Sequence, residues 1–384
     1  MEGKSMLMIP GPTPVPEAVL LAMAKAPIGH RSGDFSKVIA ELTENLKWLH
    51  QTKGDVLMLA ASGTGAMEAG IINFLSPGDK VLVGDNGKFG ERWVKVSKAF
   101  GLNVEVVKEE WGKPLNPEAF RALLQADKEK AIKAVIITHS ETSTGVLNDL
   151  KAINKYVKEH GESLIIVDAV TSLGAVDIPV DDLGLDVVGS GSQKGYMIPP
   201  GMAFVSVSKK AWKAYETAKI PKFYLDLGKY KQETDQDSSP FTPPINMMYG
   251  LQASLQMMQR EGLKGIFQRH QRLTQATRAA MKALNLPLFA ADEYASFAIT
   301  AVAPVSVEAE KIRSLMKKQF DIALAGGQDH LNGKIFRVGH LGFVSERDIL
   351  SAIAALECTL KELGYEGANA GAGVAAAATV FASP

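Results

Sequence analysis

The feature that most constrains the fold of this 384-residue chain is an alternation of short, near-continuous apolar runs with helix-length amphipathic stretches. Residues 55–60, 80–83, 103–107, 134–138, 163–167 and 202–207 read as strands, and the apolar-polar run 185–189 has the same pattern. They are rich in Val, Ile and Leu. Between them the spacing predicts helices over 64–75, 91–100, 117–125 and 150–159. Strands apolar on both sides need cover on both faces, and helix-length connections return the chain for parallel pairing. The first two-thirds is therefore expected to be a doubly wound, mostly parallel α/β domain.

Punctuation divides the rest. The Pro-rich opening 9–16 cannot be helical and reads as an extended arm. Residues 223–244 are polar, proline-bearing and without helical or strand period, the mark of a functional segment or a boundary. From Ile245, Met247, Leu251, Leu255 and Met258 recur at helical spacing, a stripe that belongs in a core. Strand-like 297–302, helix-like 307–318 and strand-like 334–338 then suggest a smaller α+β domain ending near Leu363. The expected division is an arm over 1–20, a large domain over 21–250, a small domain over 251–364 and a disordered Gly/Ala-rich tail over 365–384.

Charge and cysteine content narrow the partners. Lys+Arg 42 balances Asp+Glu 42, leaving no field to attract nucleic acid or an anionic membrane. No run reaches the roughly 18 apolar residues of a membrane span, and the short apolar opening lacks a signal-peptide core, so a cytoplasmic location is expected. The one cysteine, Cys358, rules out an internal disulfide and a Cys-ligated cluster, and its helical setting reads as buried or half-buried.

The chemistry gathers around Ser190-Gly-Ser-Gln-Lys-Gly-Tyr196, where Lys194 follows a predicted strand. A loop lysine alone means little. Asp168, however, closes another strand, and the carboxyl ends of parallel strands are where doubly wound sheets bind ligands. A third strand runs into Ser62-Gly-Thr-Gly65 at a helix start, whose free N–H groups and dipole suit a phosphate. Phosphate cradle, strand-end carboxylate and lysine are the parts pyridoxal 5′-phosphate (PLP) requires. The amine forms a Schiff base, and the carboxylate keeps the pyridine nitrogen protonated. Phe89, after the next strand, is the candidate to cover a ring face.

With PGPTPVP, SGTGAMEA, ETSTGVL, VDAVTSLG, SGSQKG, PPGMAF and FRVGHLG in place, the chain from about Ile9 to Leu363 resembles a class V, fold-type I PLP-dependent aminotransferase. Within that class it is most similar to the alanine–glyoxylate, serine–glyoxylate and serine–pyruvate group. The resemblance implies a seven-stranded-type PLP domain with a smaller C-terminal domain. It also implies a homodimer with sites at the subunit interface, and transfer from serine or alanine to glyoxylate or pyruvate. By motif, Lys194 would carry PLP and shuttle the proton between substrate Cα and cofactor C4′. Asp168 would pair with the ring nitrogen, Val170 and Phe89 would flank the ring, and Thr142 would lie near its hydroxyl. Thr64, Gly65 and Gln193 would hold the phosphate, with Ala66 beside them among the cofactor contacts. Arg337 would grip the substrate carboxylate, with Pro10 and Gly11 lining the same pocket. Three positions depart from the family: Phe89 stands where Trp is frequent, Ala66 where many relatives carry His, and Ser239 where Tyr is usual, although Thr242 is kept for the neighbouring subunit's phosphate.

Two other readings compete with transamination. Cysteine desulfuration needs a mobile cysteine, and Cys358 lies in a predicted helix. An accessory subunit of a larger redox assembly, matching a soluble-hydrogenase label that relatives have carried, would need no chemistry of its own. The seven histidines, His30, His50, His139, His160, His270, His330 and His340, show no paired metal-ligand spacing, so no metal is expected. His139, at a strand end, reads as structural because Lys194 already fills the role of base.

Overall fold

The computed structural model describes residues 5–367 and 369–383. Its strands in chain order are β1 (Met6–Met8), β2 (Asp55–Leu59), β3 (Lys80–Asp85), β4 (Asn103–Lys108), β5 (Ile132–Thr138), β6 (Ser140–Glu141), β7 (Val146–Leu147), β8 (Leu164–Asp168), β9 (Val187–Gly191), β10 (Ala203–Val207), β11 (Ile299–Val302), β12 (Ile322–Gly326) and β13 (Phe336–Gly339). Seven of them form one sheet in the order β2-β10-β9-β8-β5-β3-β4. Only β10 runs against its neighbours β9 and β2; the other pairings are parallel.

The sequence pattern explains why this sheet is buried on both sides. Along β5, Val135 and Ile137 enter one apolar cluster while Ala134 and Ile136 enter the other. Along β8, Ile165 and Val167 alternate in the same way with Leu164 and Ile166. Side chains of a strand point to opposite faces with period two, so a run without polar gaps feeds two layers at once. Each such side chain contributes about 1.5–3 kcal/mol by leaving water. Helices Gly33–His50 and Ile245–Glu261 cover one face, and Gly63–Ile72 covers the other. Leu251, Leu255 and Met258 of the expected core stripe are buried in the first layer, with Met247 packed at its edge.

The small sheet runs β1-β12-β13-β11 around a third apolar cluster. Its first strand comes from the arm: Met6, Leu7 and Met8 pair in parallel with Ile322, Ala323 and Leu324. The arm is thus a strand of the small sheet followed by the helix Glu17–Met23, which its extended reading did not reveal. Residues 223–244 also hold an unexpected helix, Leu227–Thr234, where Asp226 accepts the Gly228 N–H at 3.2 Å and Tyr230 is buried. Cys358, expected to be buried or half-buried, is exposed on the helix Glu346–Glu362.

The tail corrects the sequence reading most clearly. Within 365–384, expected to be disordered, Ala372–Ala382 is a helix with Gly373 and Ala377 buried. Alanine has the highest helix propensity, yet an isolated 11-residue helix is marginal in water. Two distant charges fasten its ends. The Glu357 carboxylate accepts the N–H groups of Gly371 (3.0 Å), Gly373 (2.6 Å) and Val374 (3.3 Å), while Arg272 Nη2 donates to the Phe381 carbonyl. Among the described residues, no helix is long and apolar enough to cross a membrane.

Replacing Glu357 by Ala strips the cap from three backbone donors and should cost about 1–2 kcal/mol of local stability. Hydrogen exchange should then accelerate over residues 372–382 while the large sheet stays protected. Unchanged exchange in the tail would refute the cap.

Candidate active site

Because β3, β5, β8 and β9 are parallel and β2 is aligned with them across the reversed β10, the five carboxyl ends meet on one rim. The chain leaving them carries Ser62–Thr64, Lys88–Phe89, His139–Thr142, Asp168–Val170 and Gln193–Lys194. These are the segments that the sequence motifs singled out.

Lys194 is 8% exposed, and its Nζ donates to the Pro10 carbonyl at 2.7 Å. The turn around it is pinned to the arm: Thr13 N donates to the Gln193 carbonyl at 3.0 Å and Thr13 Oγ1 to the Lys194 carbonyl at 3.0 Å. Gly11 has φ +148°, and a Cβ there would lie 2.8 Å from Lys194 Nζ, so this approach of backbone to amine is open to glycine alone. Burial, reinforced by the nearby Arg337 cation and opposed by Asp168, lowers the Lys194 amine from 10.5 to about 8. About a tenth of the amine is therefore neutral at pH 7, far more than for an ordinary lysine, as a nucleophilic amine needs.

Asp168 ends β8 and is 4% exposed. Burial raises its carboxyl from 3.8 to about 6, against the pull of the Val170 N–H on Oδ1 at 2.9 Å and of Lys194. The buried Trp93 indole lies close enough to lower it slightly, but its N–H completes no hydrogen bond among the described residues. The second carboxylate oxygen remains available for a cationic partner.

Around these two groups stand the residues that could hold a phosphate. The helix Gly63–Ile72 begins after Ser62, whose side chain makes no capping bond, so among the described residues no cap claims its first N–H groups. Gln193 Oε1 is buried without a partner among the described residues. Such an orphaned acceptor and an uncapped helix start beside a buried lysine fit a phosphorylated cofactor that brings its own hydrogen-bonding groups. Thr64 Oγ1 lies 3.5 Å from Arg92 Nη1. Gly65 sits in the first turn, its N–H bonded to the Ser62 carbonyl at 2.8 Å. Ala66 differs from its expected place in a cofactor site: its methyl is 1% exposed and packs in the apolar layer beside Gly189.

Phe89 is half-buried, with the Arg92 guanidinium 4.9 Å from its ring centroid. Val170 is half-buried near the cradle glycine Gly63. Thr142 Oγ1 shares a 2.8 Å hydrogen bond with Thr171 Oγ1, and its carbonyl accepts from Arg337 Nη1 at 2.8 Å. Arg337 Nε donates to the Gly326 carbonyl at 2.9 Å, leaving Nη2 uncommitted among the described residues. Along β13, Phe336 and Val338 enter the third apolar cluster, so Arg337 faces the other way by strand alternation. Burial lowers its guanidinium to about 10, with Glu141 opposing, and it stays charged at neutral pH.

Two residues stand apart. Thr242 is exposed beside Phe241, whose carbonyl accepts from Ser239 Oγ at 2.9 Å, and within one chain it makes no contact with Lys194 among the described hydrogen bonds. His139 is bonded through Nδ1 to Ser172 Oγ at 3.0 Å, and burial lowers it to about 4, so it is a neutral structural group. The sequence reading missed Arg92 and Glu141. Arg92 carried a usable signal, three residues after Phe89 at the start of the predicted helix 91–100; Glu141 carried only its place beside Thr142.

Comparison with known proteins gives the same picture. The family model "Aminotransferase class-V" matches residues 6–339. A "Soluble hydrogenase 42 kDa subunit" of Anabaena cylindrica is 72% identical over 100% of both chains. An L-aspartate–glyoxylate aminotransferase of Paracoccus denitrificans is 38% identical over 98% of this chain and 96% of its own. The crystal structure of an alanine–glyoxylate aminotransferase from Nostoc sp. superposes with a TM-score of 0.88 at 32% identity, covering 94% of this chain and 96% of that one. With its doubly wound sheet and buried strand-end lysine, the chain belongs to the class V aminotransferases, PLP-dependent enzymes of fold type I.

Proposed function

We propose that the protein moves the amino group of a small amino acid, serine or alanine, to glyoxylate or pyruvate. The observation that carries this reading is a buried lysine amine flanked by the strand-end carboxylate of Asp168 and the half-committed guanidinium of Arg337. Bound PLP supplies the electron sink that makes an amino acid's Cα proton removable. This chain's residues do the rest. The free oxygen of Asp168 would keep the ring nitrogen protonated, and Thr64, Gly65 and Gln193 would hold the phosphate. Phe89, Val170 and Thr142 would position the ring, and Lys194 Nζ would serve as the base that accepts and returns the substrate's Cα proton. Arg337 holds the α-carboxylate through Nη2.

Glyoxylate as acceptor is favoured because it stands in the names of both aminotransferase relatives above, although their donors differ. A small donor is favoured because the cations that bear on Lys194 are the buried Arg337 and the half-buried Arg92, and Arg92 is already engaged with Phe89 and Thr64. A dicarboxylic donor would call for one more free cation. Thr242, exposed and without a hydrogen bond to Lys194 among the described residues, suits a residue that serves a second copy's phosphate, which supports a homodimer. A cytoplasmic location completes the reading.

The redox-assembly reading, suggested by the relative's hydrogenase name, assigns this chain no chemistry of its own. Desulfuration would need Cys358 to reach Lys194's substrate, and Cys358 sits mid-helix in the small domain. A steady-state matrix of serine, alanine, glutamate and aspartate against glyoxylate, pyruvate and 2-oxoglutarate tests the proposal. Serine or alanine with glyoxylate or pyruvate should dominate, and a preference for the dicarboxylic acids would overturn it. Arg337→Ala should lower kcat/KM about a hundredfold, chiefly through KM.

Asp168 supplies a pH-dependent check. Its folded value near 6 lies above the ordinary 3.8, so its contribution to stability is complete below about pH 4 and is lost as pH rises through 6. Asp168→Asn should therefore stabilise the cofactor-free protein by up to about 3 kcal/mol at pH 8 and by nothing below pH 4, while abolishing transamination. Thermal denaturation at the two pH values decides this.

A further inference from the structure

A fully buried carboxylate, Glu141, lies between the two halves of the site and takes no part in the chemistry described above. Four donors converge on it. Its Oε2 accepts the N–H groups of Phe89 (3.0 Å) and Gly90 (3.1 Å), and its Oε1 accepts Ser143 N–H (3.1 Å) and Ser143 Oγ–H (2.5 Å). Ser143 Oγ in turn accepts the Lys88 N–H at 3.0 Å.

Lys88, Phe89 and Gly90 open the helix Lys88–Ala99, whose N-cap residue, Gly87, offers no side chain. Glu141 thus does from another segment what a capping side chain does locally: it satisfies orphan N–H groups and, when ionised, places a negative charge at the positive end of the helix dipole, although burial raises its carboxyl to about 7 against the pull of these donors. The fit is close, since a Cβ on Gly87 would fall 2.3 Å from the Glu141 Cδ. On its other side, the next residue, Thr142, presents the carbonyl that accepts Arg337 Nη1 at 2.8 Å. The carboxylate also acts electrostatically on the Arg337 guanidinium.

We propose that Glu141 is a positioning residue that fixes the Phe89 ring and the Arg337 guanidinium relative to one another, by capping the helix that carries Phe89 while anchoring the hairpin whose carbonyl holds Arg337. The inference rests on the reading of Phe89 as the ring-stacking residue and Arg337 as the carboxylate grip. Glu141 touches neither substrate nor cofactor. Its effect passes through backbone, which makes it separable from the effects of both partners.

The test is a double-mutant cycle read by PLP affinity of the apoprotein, from quenching of tryptophan fluorescence, and by KM for glyoxylate. Glu141→Gln removes the charge and sets an amide N–H₂ against the Ser143 N–H. It should weaken PLP binding about tenfold, the size expected for losing a charge-assisted cluster, and raise KM with kcat changed less. In a Phe89→Ala background the same substitution should leave PLP affinity within about twofold, because the ring it positions is gone. In an Arg337→Lys background it should likewise cease to affect KM. Full additivity in both backgrounds, or no effect of Glu141→Gln on either constant, overturns the proposal. If Phe89→Ala and Arg337→Lys themselves change neither constant, the underlying assignment of those two residues has failed instead, and the positioning role falls with it. Should Glu141→Gln not fold, Ser143→Ala removes one donor from the same cluster and must reproduce the shifts at smaller size, within about threefold; wild-type constants in that variant would also overturn the proposal.

Discussion

The molecule is organised around a lysine ammonium denied water and set near a second cation. Lys194 is lowered from 10.5 to about 8 chiefly by burial and then by Arg337, with Asp168 in opposition. Such a shift corresponds to about 3 kcal/mol of disfavoured charge, and Asp168 bears a comparable penalty on a charge of the opposite sign. A chain can hold both groups there only if the surroundings are stiff and well packed. The sheet buried on two faces supplies that stiffness, and its aligned strand ends supply the location.

How far the sequence reveals this arrangement depends on whether a residue's role is set locally. Asp168 and Lys194 were legible because one closes a buried strand and the other lies in the turn just after one, and strand ends follow from apolar runs that alternate between two layers, as in β5 and β8. The Thr64 helix start was legible through its glycines. The tail helix was not, because the charges that hold its ends, Glu357 and Arg272, come from two other helices. The strand β1 was hidden for the same reason: three residues acquire strand character only by pairing with Ile322–Leu324. Leu227–Thr234 shows the limit from the other side, for its polar surface masked a buried Tyr230.

Within the site the same division holds. Arg337 was found through its motif, but its orientation follows from strand alternation against Phe336 and Val338, which join the third apolar cluster. Ala66 shows the reverse: position in the motif suggested a cofactor contact, whereas the methyl lies in the apolar layer against Gly189. Glu141 has no local pattern at all. Its meaning lies in donors contributed by residues 89 and 90, some fifty positions earlier in the chain.

One consequence concerns how the two sheets communicate. The small sheet delivers Arg337 on β13, and through β1 it also anchors the arm whose Pro10 carbonyl holds the Lys194 amine. Both therefore belong to one sheet, which meets the rim of the large sheet through the Thr13 bonds to residues 193 and 194 and the Arg337 bond to Thr142. In the proposed function, a carboxylate held at Arg337 would act on the same sheet that touches the amine, and displacing that sheet would loosen the Pro10 contact as it moved the guanidinium.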